Sequence, residues 1–258
     1  MELSFAVILF IIATVVIAIA GTKLTRTADQ LADLTGLGEA LFGAIFLGAV
    51  TSLAGIITSV ATAFNDHPEL SISNAIGGIA AQTVFLSIAD ILYRKGNLEH
   101  AAASFANLMY GVLLIGLLSI VLIGFSGPEL ALLNIHPLSI LIIVVYLAGS
   151  RLISAAKEKP MWSPRITFYT VRDIPDEAYI RHLSLGKIIL KFIVLALIVA
   201  ASGYGVARSG IAIAGQTGLS ESFVGTLLTA VATSLPELII SIAAVRQNAL
   251  TLAVGNII

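Results

Sequence analysis

Residues 217–248 read TGLSESFVGTLLTAVATSLPELIISIAAVRQN, and residues 35–66 read TGLGEALFGAIFLGAVTSLAGIITSVATAFND. A shift of 182 residues aligns the two stretches without a gap. Apolar helices resemble one another by composition alone, so the matched polar residues are what indicate an internal repeat. The informative pairs are Thr51/Thr233, Ser52/Ser234, Ser59/Ser241 and, further along, Asn74/Asn256. We place repeat 1 in residues 35–90 and repeat 2 in residues 217–258.

The composition is that of a membrane protein. Of the 258 residues, 58% are hydrophobic and 11% are charged, and the mean hydropathy is +1.01. A soluble domain has about 45–50% apolar and about 25% charged residues, so a water-soluble globule is excluded. The formal net charge of −1 provides no basic face for nucleic acid. Because the chain has no cysteine, it forms no disulfide and offers no thiolate to a metal.

Seven apolar runs are long enough to cross a bilayer, which takes about 20 helical residues. They lie at 3–21, 37–63, 69–92, 104–125, 137–156, 185–207 and 221–245. An eighth run begins near Ala249 and reaches Ile258, which is too short a stretch to cross the bilayer. We therefore expect an all-α membrane protein whose sequence stops within an eighth span.

The basic residues predict how the spans are oriented. With the N-terminus outside and the spans alternating, every Lys and Arg except Arg208 falls on one side of the membrane. By the positive-inside rule this side is the cytoplasm. Residues 157–184 form the one sizeable polar stretch, and they contain three prolines. We expect them to form a cytoplasmic connector between a first half, residues 1–156, and an incomplete second half, residues 185–258.

The two repeats are expected to have opposite orientations in the membrane. Repeat 1 starts on the second span and repeat 2 on the seventh, so their first helices cross the bilayer in opposite directions. Many secondary transporters combine such inverted repeats with interrupted helices, and they bind substrate near the bilayer midplane where the repeats meet. The pattern predicts an inverted-repeat transporter fold.

Glu237 is the candidate that decides the chemistry of repeat 2. It lies deep inside an apolar span, where a charge costs roughly 3 kcal/mol or more, so a functional role is the default interpretation. Pro236 lacks a backbone N–H and is expected to open the helix just before it. Freed carbonyls, the hydroxyls of Thr233 and Ser234 and one carboxylate would form an all-oxygen site, which suits hard cations such as Na⁺ and Ca²⁺.

Repeat 1 contributes the same hydroxyls without the charge. Thr51 and Ser52 are retained, whereas Gly55 occupies the position equivalent to Glu237. On the next span Asn74, Gly78 and Gln82 are spaced four residues apart and share one helix face. Gln82 is thereby expected to bring a neutral oxygen to the site.

These motifs resemble the α-repeats of the calcium:cation antiporter superfamily, which includes the sodium/calcium exchangers and their bacterial relatives. The likeness rests on TSLPE (233–237) with the later Gly255 and Asn256, and on TSLAG (51–55) followed by SNAIGGIAAQ (73–82). The resemblance implies five plus five inverted spans, here present up to the eighth, in a bacterial or archaeal plasma membrane. It also implies that the ion ligands include Thr51, Ser52, Thr233, Ser234 and Glu237, with Gln82 in a place usually held by Asn.

The activity implied by the resemblance is secondary active antiport of Na⁺ and/or Ca²⁺, with H⁺ as a further candidate and no cofactor. Gly55 departs from the family, which has an acidic ligand there. One carboxylate balances a monovalent cation but leaves Ca²⁺ with an uncompensated charge in a low-dielectric site. An Na⁺- or H⁺-coupled antiporter without calcium specificity, or a transport-inactive relative with a regulatory role, therefore stays open.

Two other functional classes are less favoured by the sequence. A channel would need a continuous polar pore, and an enzyme would need an acid–base partner for Glu237 within the membrane. The four histidines lie in loops or at span ends without the spacing of metal ligands. The expected partners are the lipid bilayer and small inorganic cations, and the oligomeric state is left open.

Overall fold

The computed structural model of the chain describes residues 1–35, 41–94, 96–127, 135–158, 184–247 and 250–255. Nearly all of these residues are helical, which confirms the all-α class. In chain order the α-helices are α1 (Leu3–Val16), α2 (Thr22–Thr35), α3 (Leu41–Thr51), α4 (Leu53–Phe64), α5 (Pro68–Leu92), α6 (Leu98–Ala101), α7 (Phe105–Ser126), α8 (Pro137–Glu158), α9 (Leu185–Thr217), α10 (Glu221–Phe223), α11 (Ala230–Thr233), α12 (Leu235–Arg246) and α13 (Leu250–Gly255). Two π-helical segments, π1 (Ile17–Gly21) and π2 (Val224–Thr229), join α1 to α2 and α10 to α11.

The long helices are those of an integral membrane protein. Within the described part of the chain, five are long and apolar enough to cross a bilayer: Leu3–Ala32, Pro68–Leu92, Phe105–Ser126, Pro137–Ala156 and Leu185–Thr217. Glu221–Thr233 and Leu235–Arg246 form a sixth candidate, bent by 45°. Helix α7 has no buried residue and exposes apolar side chains such as Ile115, Leu122 and Phe125. Surfaces of this kind are suited to lipid rather than to water.

Two of the predicted spans end too early. The first was predicted at 3–21, but the helix continues through π1 and α2, so Lys23 and Arg26 lie within it. The sixth was predicted at 185–207, but α9 runs to Thr217 and includes Arg208. A span predicted from hydropathy ends at the first charged residues, whereas the helix itself can continue into the polar interface of the membrane. Gly218 ends α9 with a φ of 72°, a left-handed conformation that glycine adopts without strain.

The second predicted span, 37–63, is not one helix. It consists of α3 and α4, which are separated at Ser52, where φ is −85° and ψ is 7°. The seventh span is interrupted at Ser234 with almost the same dihedrals, −96° and 5°. The predicted opening of the helix beside Pro236 is present, and it lies at Ser234. Pro236 itself lies in the first turn of α12, where its missing N–H is not needed.

The interruption at Ser52 has no proline near it, so proline is not required for the break. Both breaks lie at the serine of the shared sequence Thr-Ser-Leu, at 51–53 and at 233–235. The two repeats thus adopt the same local structure at the centre of their first spans, and their opposite orientation stays a prediction.

The shift of 182 residues also relates two interhelical hydrogen bonds. In repeat 1 the Ser59 hydroxyl donates to the carbonyl of Ser71 at 3.0 Å. In repeat 2 the Ser241 hydroxyl donates to the carbonyl of Ala253 at 3.2 Å. Each bond ties the helix after the break to the next helix along the chain. The matched serines of the sequence therefore have the same structural role in both repeats.

Two glycines extend this correspondence toward the N-terminus. Gly21, at the end of π1, is so close to Pro236 that an added Cβ would lie 2.5 Å from the proline Cγ. Gly203, on α9, is so close to α4 that an added Cβ would lie 2.8 Å from the Ala54 carbonyl oxygen. Gly21 and Gly203 are equivalent under the same shift, as are Ala54 and Pro236. Each half therefore packs its first helix against the interrupted helix of the other half.

The ends of the two repeats are joined by polar contacts. Glu221, at the start of α10, has one carboxylate oxygen 2.6 Å from His67 Nδ1 and accepts the Leu70 backbone N–H with the other at 3.2 Å. It thereby caps the N-terminus of α5, a helix of the other repeat. At the same end Arg208 donates to the side-chain oxygen of Asn65 at 2.9 Å. Hydrogen bonds between the two halves thus hold them together at this end of the molecule.

Replacement of Gly21 by Ala should lower the free energy of unfolding by about 1–3 kcal/mol, since an extra methyl group in a filled contact costs this much. Gly203→Ala should behave in the same way. Thermal unfolding in detergent measures the effect, and Gly215→Ala is the control because a Cβ there meets nothing within 4 Å. Equal midpoints for Gly21→Ala and Gly215→Ala would contradict the proposed packing.

Candidate functional site

A cavity of about 370 Å³ lies where the two repeats meet. Helices α4 and α5 form one wall, and the interrupted helix of repeat 2 forms the other. The cavity is lined by Ser52, Gly55, Ile56, Ser59, Val60, Asn74, Ala75, Gly78, Ile79, Gln82, Thr233, Ser234 and Glu237. Ser52 and Ser234, the residues at the two breaks, both line the cavity, which is where membrane proteins tolerate irregular backbone.

Five of the six candidate residues are brought together here. Ser52 and Gln82 lie on the wall of repeat 1, and Thr233, Ser234 and Glu237 lie on the wall of repeat 2.

The sixth candidate, Thr51, is not among the lining residues. Its hydroxyl donates to the carbonyl of Gly48 at 2.9 Å, within its own helix. The equivalent residue of repeat 2, Thr233, does line the cavity, although the backbone has almost the same dihedrals at Ser52 and Ser234. The packing of the helices, and not the local backbone, therefore decides which threonine lines the cavity.

Glu237 brings a carboxyl group to the cavity, and only 2% of its surface is exposed. It lies in the first turn of α12, where the helix dipole favours a negative charge. A buried carboxylate at this depth is expensive unless a cation or other compensating groups accompany it. Among the described lining residues, Glu237 is the one ionisable side chain.

The hydroxyl groups beside Glu237 are suited to accept a cation. Thr233 donates its hydroxyl proton to the carbonyl of Thr229 at 2.9 Å, with Ala230 as a longer alternative at 3.2 Å. A hydroxyl oxygen has two lone pairs, so donating its proton leaves both of them available to a metal ion. Thr233 and Ser234 are both nearly buried, at 4% and 5% exposure, and they add neutral oxygens next to the carboxylate.

Two glycines of repeat 1 face these hydroxyls directly. A Cβ added at Gly55 would lie 3.7 Å from Thr233 Oγ1, and one added at Gly78 would lie 3.7 Å from Ser234 Oγ. Both distances are ordinary van der Waals contacts. A side chain at either position would therefore enter the site, and the absence of one at Gly55 removes a potential second carboxylate.

The sequence interpretation of α5 agrees with this geometry, because Asn74, Gly78 and Gln82 all line the cavity. It missed Ser59, which also lines the cavity and is only half buried. The signal was present, since Ser59 is one of the matched polar pairs and follows Gly55 by one helical turn. Asn256 and residues 159–183 of the predicted connector lie outside the described residues, so their predicted roles stay predictions.

The comparison with known families agrees with these observations. The sequence model described as sodium/calcium exchanger protein matches residues 5–154 and 187–258. The two matched segments lie on either side of the predicted connector 157–184. A comparison with curated proteins found no match.

The match covers most of the chain, including every described residue that lines the cavity. Members of this family are membrane transporters that exchange cations, and they are not enzymes in the catalytic sense. An interrupted helix in each repeat, a buried carboxylate and a hydroxyl-lined cavity between the repeats are in keeping with this match. The chain belongs to the sodium/calcium exchanger protein family.

Proposed function

We propose that the protein is a secondary active cation antiporter in which Glu237 binds the transported ion and two inverted repeats expose it alternately to each side. The carrying observation is the position of Glu237, which lines the cavity between the two repeats and is 2% exposed. A cation that binds beside it offsets the cost of the buried charge. A bound cation thus neutralises the carboxylate. Because an empty site would leave the charge uncompensated, one cation leaves only in exchange for another.

The ligand chemistry favours hard cations. The residues that line the cavity carry carboxylate, hydroxyl and amide oxygens, and they are Glu237, Ser52, Ser59, Gln82 and the Thr233–Ser234 pair. Oxygen ligands of this kind suit Na⁺ and Ca²⁺ and do not favour zinc or copper.

The charge of the site favours a monovalent ion over Ca²⁺. One carboxylate compensates Na⁺ or H⁺ fully, whereas Ca²⁺ would keep about one positive charge in a medium of low dielectric constant. Gly55 faces Thr233 and provides no second charge. We therefore propose Na⁺ or H⁺ coupling as the basic activity and do not assign calcium specificity.

Alternating access is supported by the equivalence of the two halves. The breaks at Ser52 and Ser234 and the contacts of Gly21 and Gly203 are related by one shift of the sequence. If the halves are inverted, exchanging their conformations would open the site to the other side of the membrane. The same shift relates Ser59 and Ser241, whose bonds hold each interrupted helix to its neighbour.

Glu237→Gln should abolish coupled cation exchange, since it keeps the shape of the side chain and removes its charge. The measurement is uphill movement of one cation driven by a gradient of another, in proteoliposomes that contain the full-length protein. Glu2→Gln is the control, because Glu2 is exposed at the start of α1 and is not among the residues that line the cavity. Exchange that continues undiminished in Glu237→Gln would exclude this role for the carboxylate.

Gly55→Glu should raise the affinity for Ca²⁺ relative to Na⁺, by about tenfold or more if the second charge is worth at least 1.4 kcal/mol. The cavity has room for the side chain, and position 55 faces the ligands of repeat 2. Competition between Ca²⁺ and Na⁺ for binding or flux measures the change.

The matched control for this substitution is Gly55→Gln, which fills the same volume without a charge. We expect it to leave the preference between the two ions unchanged. Equal selectivity in the Glu and Gln variants would show that charge at position 55 does not act on the bound ion.

A further inference from the structure

Asn74 connects the two repeats inside the protein. Its amide nitrogen donates to the Gly55 carbonyl at 3.3 Å and to the Ser59 hydroxyl at 2.9 Å, both within repeat 1. Its side-chain oxygen accepts the Thr229 hydroxyl at 2.7 Å, a bond between residues 155 positions apart in the sequence. Asn74 is 3% exposed and Thr229 is fully buried. We call these four residues, Asn74 with Gly55, Ser59 and Thr229, the Asn74 clasp.

The chemistry of the partners determines which way the amide group points. The Gly55 carbonyl can only accept, so the NH₂ group must face it and the oxygen must face Thr229. A reversed amide would place two carbonyl oxygens against each other. The Thr229 hydroxyl has one proton, and the bond to Asn74 at 2.7 Å is shorter than the alternative to the Gly225 carbonyl at 3.1 Å.

The clasp ends at the cation site on both sides. Gly55 and Ser59 line the cavity on the side of repeat 1. On the side of repeat 2, the carbonyl of Thr229 accepts the hydroxyl of Thr233, which lines the opposite wall. Thr229 itself is the last residue of π2 and is not among the lining residues. π-helical segments are frequent at functional sites, where they change the direction of side chains.

The bond to Thr229 has no counterpart under the shift that relates the repeats. The residue equivalent to Thr229 is Leu47, which has no hydroxyl to donate. The bond is therefore an addition to the repeated framework. It joins the two walls of the cavity at only one of the two positions that the shift of 182 residues makes equivalent.

We propose that the Asn74 clasp sets the separation of the two walls and that Thr229 is a positioning residue for cation binding. This inference rests on the proposed function, because it assumes that the cavity is the cation site. Without the hydroxyl of Thr229, the wall that contains Thr233 and Glu237 would take up a wider range of positions. A site that is less well ordered binds its ion more weakly, since the ion must first order it.

Thr229→Val tests the proposal, because it replaces the hydroxyl by a methyl group at a position outside the cavity. We expect the Na⁺ concentration at half-maximal exchange to rise by about three- to tenfold. This factor corresponds to the free energies of hydrogen bonds between membrane helices. The maximal rate should change less than the half-saturating concentration. Exchange is measured in proteoliposomes with the full-length protein.

Two further variants separate positioning from general stability. Thr62→Val removes a hydroxyl that is equally buried but bonds only to carbonyls of its own helix, so the affinity should stay as in the parent protein. Thr229→Ser keeps the hydroxyl and should restore the parent affinity. Should Thr229→Val fail to fold, Thr229→Ala removes the same hydroxyl without adding a group.

A distance measurement tests the clasp without relying on transport. The chain has no cysteine, so Phe64→Cys on α4 and Leu227→Cys on π2 allow spin labels at two positions that are 86% and 52% exposed. Thr229→Val should broaden the distribution of distances between the labels, and Thr62→Val should not.

The outcomes distinguish the two proposals. Broader distances together with a higher half-saturating Na⁺ concentration support the clasp as a positioning device. Affinity in Thr229→Val equal to that in Thr62→Val overturns it, whether or not the distances change. If the parent protein shows no cation exchange but Thr229→Val still broadens the distances, the proposed function fails while the structural coupling between the repeats stands.

Discussion

The structure depends on the cost of one carboxylate inside a membrane. Glu237 is buried among apolar helices, and a charge in such a place is costly without a partner. Two features of its surroundings lower the free-energy cost of this buried group. Glu237 lies in the first turn of α12, where the helix dipole favours a negative charge, and the hydroxyl-bearing residues Thr233 and Ser234 line the cavity beside it.

The site exists because each half of the protein packs against the other. Gly21 receives Pro236, and Gly203 receives the backbone at Ala54, so each interrupted helix is supported by the first helix of the opposite half. The absence of side chains at these two glycines lets the helices approach closely, as small residues commonly do in membranes. The same packing between the halves brings Gly55 and Gly78 opposite Thr233 and Ser234. The lining of the cavity is therefore a property of the pair of repeats and of neither repeat alone.

The symmetry of the framework contrasts with the asymmetry of its chemistry. The breaks, the serine bonds and the close glycine contacts occur twice, whereas the carboxylate and the bond between Asn74 and Thr229 occur once among the described residues. A duplicated backbone can thus be specialised by a few side chains. Gly55 stands where repeat 2 has Glu237, whereas the backbone geometry at Ser52 is still that of Ser234.

The sequence alone determined the membrane class, the duplicated unit and most of the polar residues that line the central cavity, because these follow from hydropathy and from polar residues within apolar runs. Five of six candidate residues do line one cavity. Only the tertiary structure decided that Thr51 turns away, that the helix breaks at Ser234 before Pro236, and that α2 and the end of α9 stay helical. It also decided the pairing of Asn74 with Thr229 and of Gly21 with Pro236. The physical reason is that these features depend on which helix faces meet, and residues far apart in sequence meet only when the helices have packed.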